Sequence, residues 1–139
     1  MTKLVPEDER DGLEQVRLHI LFGKKDYPGA YAMARKMSDA HKEDADFQNQ
    51  LAWRIATDPE IEKRDLDLAA TFAERANTAS GGRNPEVLDT VARVLFMQGK
   101  KDDAIQTQEK AVKLAEGDGK ANLQKTLDSY KEGKLPKPK

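Results

Sequence analysis

The sequence predicts an all-α protein made of about three helical hairpins and one C-terminal capping helix. Apolar residues recur at the three- and four-residue spacing of one helical face, without the alternation that indicates a strand. Gly, Pro, Asp and Asn separate these stretches at intervals of roughly one helix. The alanines Ala69 and Ala76 recur one unit later as Ala104 and Ala111, which indicates an internal repeat.

The clearest hairpin spans residues 85–116. Asn84 is a candidate N-cap, and Pro85 occupies the first helical position, where its missing N–H costs nothing. Gly99 follows the first helix where a left-handed residue is needed, and Asp102 is a candidate cap for the second helix. The residues expected to pack between the two helices are Leu88, Val91, Ala92 and Leu95 on the first and Ala104, Ile105, Ala111, Val112 and Leu114 on the second.

The spacing of the small residues Ala92, Ala104 and Ala111, with large apolar residues before them, resembles the tetratricopeptide repeat (TPR), a helix–turn–helix unit of ~34 residues. Leu88 stands where that family usually has Trp, and Glu116 where it usually has Pro. The resemblance implies a right-handed superhelix of stacked hairpins. Small residues would let the paired helices approach closely, and a concave groove would run along the first helix of each unit.

A helical repeat cannot bury its apolar face alone, so neighbouring units are expected. Ala69 and Ala76 predict the second helix of a middle unit, and Ala52 lies in its first helix. The segment TDPEIEKRD lengthens the connection between them. Asp58 marks where this connection begins, because a residue before a proline is disfavoured in helical conformation.

In the first unit, the stretch LEQVRLHILFG pairs with YPGAYAMARKM. We expect Leu13, Val16 and Ile20 to face inward on its first helix. A last amphipathic stretch, with Leu127 and Tyr130 on its apolar side, predicts the capping helix. The predicted divisions are a loose N-terminal segment and helix start at 1–10, units at about 11–43, 44–83 and 84–118, the capping helix at 119–132, and a disordered tail at 133–139.

The segment from NQLAW to AVKLA, together with SYKEGKLP near the C-terminus, resembles the C-terminal TPR domain of certain bacterial thioredoxin-like redoxin proteins. In those proteins the repeats accompany a catalytic thioredoxin fold, which needs a Cys-x-x-Cys motif. This chain has no cysteine. The resemblance therefore implies a non-catalytic interaction part, separate or excised from a longer protein. The compartment stays open between the cytoplasm and, for a secreted parent, the periplasm.

Composition argues against several other classes of protein. The formal net charge is −1, whereas nucleic-acid binding favours a basic surface. No apolar run approaches the ~18 residues of a membrane span, so membrane insertion is not expected. The start MTKLVPEDER lacks the apolar core of a signal peptide. Without cysteine there is no thiol chemistry, disulfide or zinc–thiolate site.

Catalytic and metal-binding arrangements are not evident either. His19 fits the edge of a packed helix, and His41 with Asp44 and Asp46 lies at a helix start, where Asp is expected for capping. No carboxylate pair stands in an apolar setting that would perturb its pKa. We therefore expect no enzymatic activity, no metal site and no cofactor.

The geometry of the TPR family places groove residues on the first helix of each unit. Large apolar residues there, if exposed, would form a patch of the kind that marks a binding site. An alternative for Trp53 and Phe96 is packing against neighbouring helices or the capping helix. The candidate partner-binding residues are Leu18, Phe22, Asn49, Trp53, Asp89, Arg93, Phe96 and Met97.

The expected partner is a protein or peptide segment of apolar or basic character. Glu14, Asp46, Glu86 and Asp89 surround the polar groove positions, so an acidic peptide would be repelled. The sequence favours a protein–protein interaction scaffold. Two alternatives stay open: an accessory domain of a thioredoxin-like redox protein, and a self-associating module in which another copy fills the groove.

Overall fold

The structure is a computed structural model that describes residues 7–138, with side chains from residue 12 onward. In this range the chain forms seven α-helices and no β-strand, which confirms the all-α class. Residues 1–6 of the predicted N-terminal segment and helix start (1–10) and the last residue of the predicted tail lie outside the described residues. The helices are α1 (Glu7–Gly23), α2 (Tyr27–Ala40), α3 (Ala45–Thr57), α4 (Leu66–Ala79), α5 (Pro85–Met97), α6 (Lys101–Leu114) and α7 (Gly117–Lys131).

Capping side chains set where the middle helices begin. Asp44 accepts a hydrogen bond of 3.1 Å from the N–H of Phe47, and Asn84 accepts one of 3.0 Å from the N–H of Glu86, as expected for these caps. The prediction for Asp102 was wrong. Helix α6 begins at Lys101 without a side-chain cap, because the turn at Gly99 is short and places Asp102 already inside the first helical turn.

Consecutive helices pack in pairs: α1 with α2, α3 with α4, and α5 with α6. Helix α4 also packs against α5, α3 contacts α5, and α7 lies on α6. The alanines that led to this pairing, together with Ala30 of α2, are completely buried, consistent with close helix crossings that a larger side chain would obstruct. These residues are Ala30, Ala52, Ala69, Ala76, Ala92, Ala104 and Ala111.

Two clusters of buried side chains form the core. The larger runs through α1 to α5 and includes Phe72 and Ile55. The smaller joins α5, α6 and α7 through Ala92, Ala104 and Tyr130. Helix α7 therefore packs on the last hairpin, and it begins at Gly117, two residues before the predicted start at 119.

The register predicted for α1 was wrong. Leu13, Val16 and Ile20 were expected to face inward, yet they are 52, 56 and 47% exposed. Leu18 and Phe22 were expected on an open groove, yet they are 0 and 2% exposed and belong to the larger cluster. The helix is thus rotated about its axis relative to the expected orientation.

Aromatic packing explains this rotation. The ring of Phe22 lies edge-on to Tyr31 of α2, with ring centroids 5.6 Å apart, and the guanidinium of Arg54 lies 5.1 Å from its centroid. A phenylalanine ring buries more apolar area than a valine or isoleucine side chain. Because α1 carries apolar residues on more than one face, the side that offers Phe22 to α2 is the one buried.

Candidate partner-binding groove

A cavity of ≈ 780 Å³ opens where α3, α5 and the start of α7 come together. Asn49 and Trp53 of α3 line it, together with Asp89 of α5, so the structure brings three of the predicted groove residues to one place. Each of these residues is half-buried. The cavity also includes residues near the end of α6 and from α7, among them Leu114 and Leu123.

Carboxylates dominate the charge of this cavity. Glu86, Asp89 and Glu116 line it, and among the described residues that line it there is no Lys, Arg or His. Arg93 contacts one lining side chain, since its guanidinium lies 5.4 Å from the ring centroid of Trp53. The charged side chains that line the open space, among the described residues, are therefore all negative.

Gln108 of α6 holds two parts of the lining in position. This side chain is fully buried, and its Nε2 donates to Asp89 Oδ1 at 3.0 Å and to the Leu123 carbonyl at 3.1 Å. Because both partner atoms are hydrogen-bond acceptors, the group that faces them is the NH2 of the Gln108 amide. Its Oε1 and the Oδ1 of Asn49 are buried acceptors that receive no hydrogen bond from the described part of the chain.

Arg93 does not lie open in the groove as expected. It is 5% exposed, and its Nη2 donates a hydrogen bond of 2.8 Å to the carbonyl oxygen of Pro136. Burial lowers the pKa of Arg93, while the negative charge of Asp89 opposes that shift. The C-terminal segment thus passes over this position, in contrast to the disordered tail that composition suggested.

Phe96 and Met97 are half-buried, and each has a packing partner. The ring of Phe96 stacks on Tyr130 of α7, with centroids 4.6 Å apart and an interplanar angle of 18°. Met97 is half-buried and packs on the larger core cluster. For Phe96 the structure therefore bears out the alternative of packing against the capping helix. Trp53 is intermediate, since it contacts Arg93 and also lines the cavity.

The two histidines of the sequence, His19 and His41, contact different residues. His19 Nδ1 is 3.3 Å from Arg54 Nη2, and the His41 ring lies 4.3 Å from that of Phe47, measured between centroids. Within residues 12–138, whose side chains are described, no group of three His, Cys, Asp or Glu side chains is arranged to hold a metal ion. In the same range, no helix combines the length and apolar character needed to cross a bilayer.

The sequence did not predict two contacts that hold residues in or beside the cavity in place. Gln108 falls between Ala104 and Ala111 on the buried face of α6, and that spacing could have indicated a buried polar residue. The contact of Pro136 with Arg93 has no comparable local signal, because the partners are 43 residues apart.

Comparison with known proteins leaves the family open: the chain matches no protein-family model and no curated protein at a significant level. The TPR interpretation therefore depends on the repeat spacing and the pairing of the helices.

Proposed function

We propose that this chain is a non-catalytic protein–protein interaction scaffold of the TPR kind, with stacked hairpins in a right-handed superhelix. Its groove would bind a segment of a protein or peptide, without a cofactor and without nucleic acid. The observation that carries the proposal is the cavity beside Trp53, formed by α3, α5 and α7. In the TPR interpretation, α3 and α5 are the first helices of consecutive units, and α7 is the capping helix.

The dimensions and composition of the cavity fit this role. Its volume of ≈ 780 Å³ lies within the ~300–1,000 Å³ that is common for ligand sites. Tryptophan is among the residues that most often dominate the binding energy of an interface. A half-buried Trp53 beside polar acceptors supplies the apolar contact area and the orienting groups that recognition needs.

A peptide-display selection on the purified protein would test the proposal. Selected peptides should bind with micromolar affinity in calorimetry, and Trp53→Ala should weaken binding at least tenfold while the melting temperature changes little. Lys110→Ala, at an exposed position of α6, is the control and should bind like the original chain. Failure to select any peptide, or equal binding by Trp53→Ala, would contradict a role for this groove.

A second candidate, self-association, is favoured by the exposed stripe of α1. Leu13, Val16 and Ile20 are each about half exposed, whereas the opposite end of the array is covered by α7. Terminal repeats of a solenoid normally present a polar outer face. A second copy packed on this stripe would remove it from water.

Sedimentation equilibrium over a concentration series tests self-association. We expect a dimer at high concentration that Val16→Glu abolishes and the exposed α1 control Arg17→Glu leaves intact. A monomer throughout would remove this candidate. The accessory-domain alternative makes a different prediction, namely a genomic reading frame that joins this chain to a Cys-x-x-Cys domain.

A further inference from the structure

The cavity beside Trp53 has an unequal charge balance. Glu86, Asp89 and Glu116 contribute three carboxylates, and the buried guanidinium of Arg93 stands against them as one positive charge. The balance of these groups is two negative charges. No described residue of the C-terminal tail lines the cavity.

Two hydrogen-bond acceptors in and beside the cavity lack a donor from the described part of the chain. Asn49 lines the cavity, and its buried Oδ1 receives no donor from the described part of the chain. The Oε1 of Gln108, next to the contacts with Asp89 and Leu123, likewise receives none. Both of these atoms are closed to solvent, so the exposed carboxylates of Glu86 and Glu116 are the lining acceptors that a ligand can reach.

The remaining lining is apolar. Trp53, Pro85, Leu114 and Leu123 provide carbon surface beside the carboxylates. A ligand matched to both parts would carry a positive donor group at the end of a hydrocarbon stem. Lysine and arginine side chains have this construction, because their methylene groups pack on apolar surface while the charged head reaches polar partners.

We propose that this cavity receives a lysine or arginine side chain of a partner peptide. The cationic head would lie among the lining carboxylates Glu86, Asp89 and Glu116, and the stem would lie along Trp53. This inference depends on the proposed peptide-binding function and adds the chemical class of the residue that is recognised.

An anionic ligand is the main competing interpretation, because the cavity includes the N-terminus of α5, and helix N-termini attract anions. Two features oppose it here. Asn84 already accepts hydrogen bonds from the N–H groups of Glu86 and Val87, at 3.0 and 3.5 Å. The Glu86 carboxylate then occupies the first turn of that helix, where its negative charge interacts with the positive end of the dipole.

The single tryptophan of the sequence makes the test direct. The indole N–H of Trp53 gives one resonance in a ¹H–¹⁵N correlation spectrum, and it can be followed during titration with four probes. These are an acetylated and amidated peptide with a central lysine, the same peptide with Nε-acetyl-lysine, the same peptide with glutamate, and inorganic phosphate. We expect the lysine peptide to shift the resonance and the other three to bind at least tenfold more weakly.

Charge dependence gives a second readout. The double variant Glu86→Gln with Glu116→Gln should lower affinity for the lysine peptide about three- to tenfold at low salt and flatten its salt dependence. Glu43→Gln, an exposed carboxylate that does not line the cavity, is the matched control. Equal binding of the acetyl-lysine peptide, or tighter binding of phosphate or the glutamate peptide, would overturn the inference.

The outcome also separates this inference from the proposed function. Peptides selected by display that bind through Trp53 without any dependence on a lysine or arginine would keep the scaffold function and overturn the cationic pocket. If neither the selected peptides nor the lysine peptide moves the Trp53 resonance, both proposals fail.

Discussion

The guanidinium of Arg93 donates a hydrogen bond of 2.8 Å to the carbonyl oxygen of Pro136, which lies after the last helix. A buried arginine is thereby partnered by backbone from the C-terminal segment and stacked near Trp53. The contact ties the tail to the edge of the candidate groove. It links the stability of the last hairpin to residues that look dispensable in the sequence.

Removing residues 135–139 should therefore destabilise the fold. Arg93 would lose its described acceptor. A donor left unsatisfied in the interior costs ~1–3 kcal/mol, with more for a charged group, and water that reaches the site lowers this cost. We expect a loss of about 1 kcal/mol in urea unfolding and a change in Trp53 fluorescence. Removal of residues 137–139 alone is the control, and equal unfolding midpoints for both truncations would show that the Pro136 contact does not contribute.

The corrected register of α1 can be checked with a matched pair of substitutions. Leu18→Ala removes a fully buried side chain and should cost ~2–4 kcal/mol in the free energy of unfolding. Leu13→Ala, at a position that is 52% exposed, should cost less than ~0.5 kcal/mol. A larger effect at Leu13 would restore the register that periodicity alone suggested.

The close helix crossing at Ala92 predicts intolerance of a larger side chain. Ala92 is completely buried against Ala104 and Tyr130. Ala92→Leu should destabilise the protein by ~1–3 kcal/mol through overpacking, as judged by chemical denaturation. Ala121→Leu, at an exposed position of α7, should be nearly neutral. Similar behaviour of the two variants would argue against nested helices.

A buried polar junction joins α2 to α3. The Nε2 of Gln48 donates to the carbonyl oxygens of Ser38 and His41, at 2.8 and 2.7 Å. Gln48→Leu would leave these carbonyl groups without that donor and should cost ~1–3 kcal/mol. Gln50→Leu, exposed on the same helix, should change the unfolding free energy little, and an equal loss at both positions would contradict the junction.

Tyr130 predicts a loss of stability at alkaline pH. Burial raises its pKa above the ordinary value of ~10, with a smaller contribution from the negative charge of Asp89. Since the folded state favours the protonated phenol, this contribution is fully present below pH ~10 and declines as the pH rises towards the folded-state pKa.

The Tyr130→Phe variant isolates this effect. Unfolding free energies measured from pH 8 to 11 should fall less steeply for the variant than for the original chain. Tyr31, whose pKa is also raised by burial, supplies a residual dependence. Parallel curves would show that the Tyr130 phenol does not titrate differently in the folded and unfolded states.

The sequence by itself determined the all-α class, the two caps at Asp44 and Asn84, the turn at Gly99 and the buried alanines. These features depend on neighbours in the chain: a cap needs an N–H two or three residues away, and an amphipathic face repeats within a few residues. Caps and amphipathic faces can therefore be predicted from the sequence without knowing which helices pack together.

Only the tertiary structure decided which face of α1 is buried, where Arg93 finds an acceptor, and that Gln108 shapes the groove. Each depends on contact between segments distant in the chain. A helix with apolar residues on several sides has no preferred orientation until a partner such as Tyr31 is placed against it. A polar side chain such as Gln108 can be buried only where distant segments supply its hydrogen-bond partners.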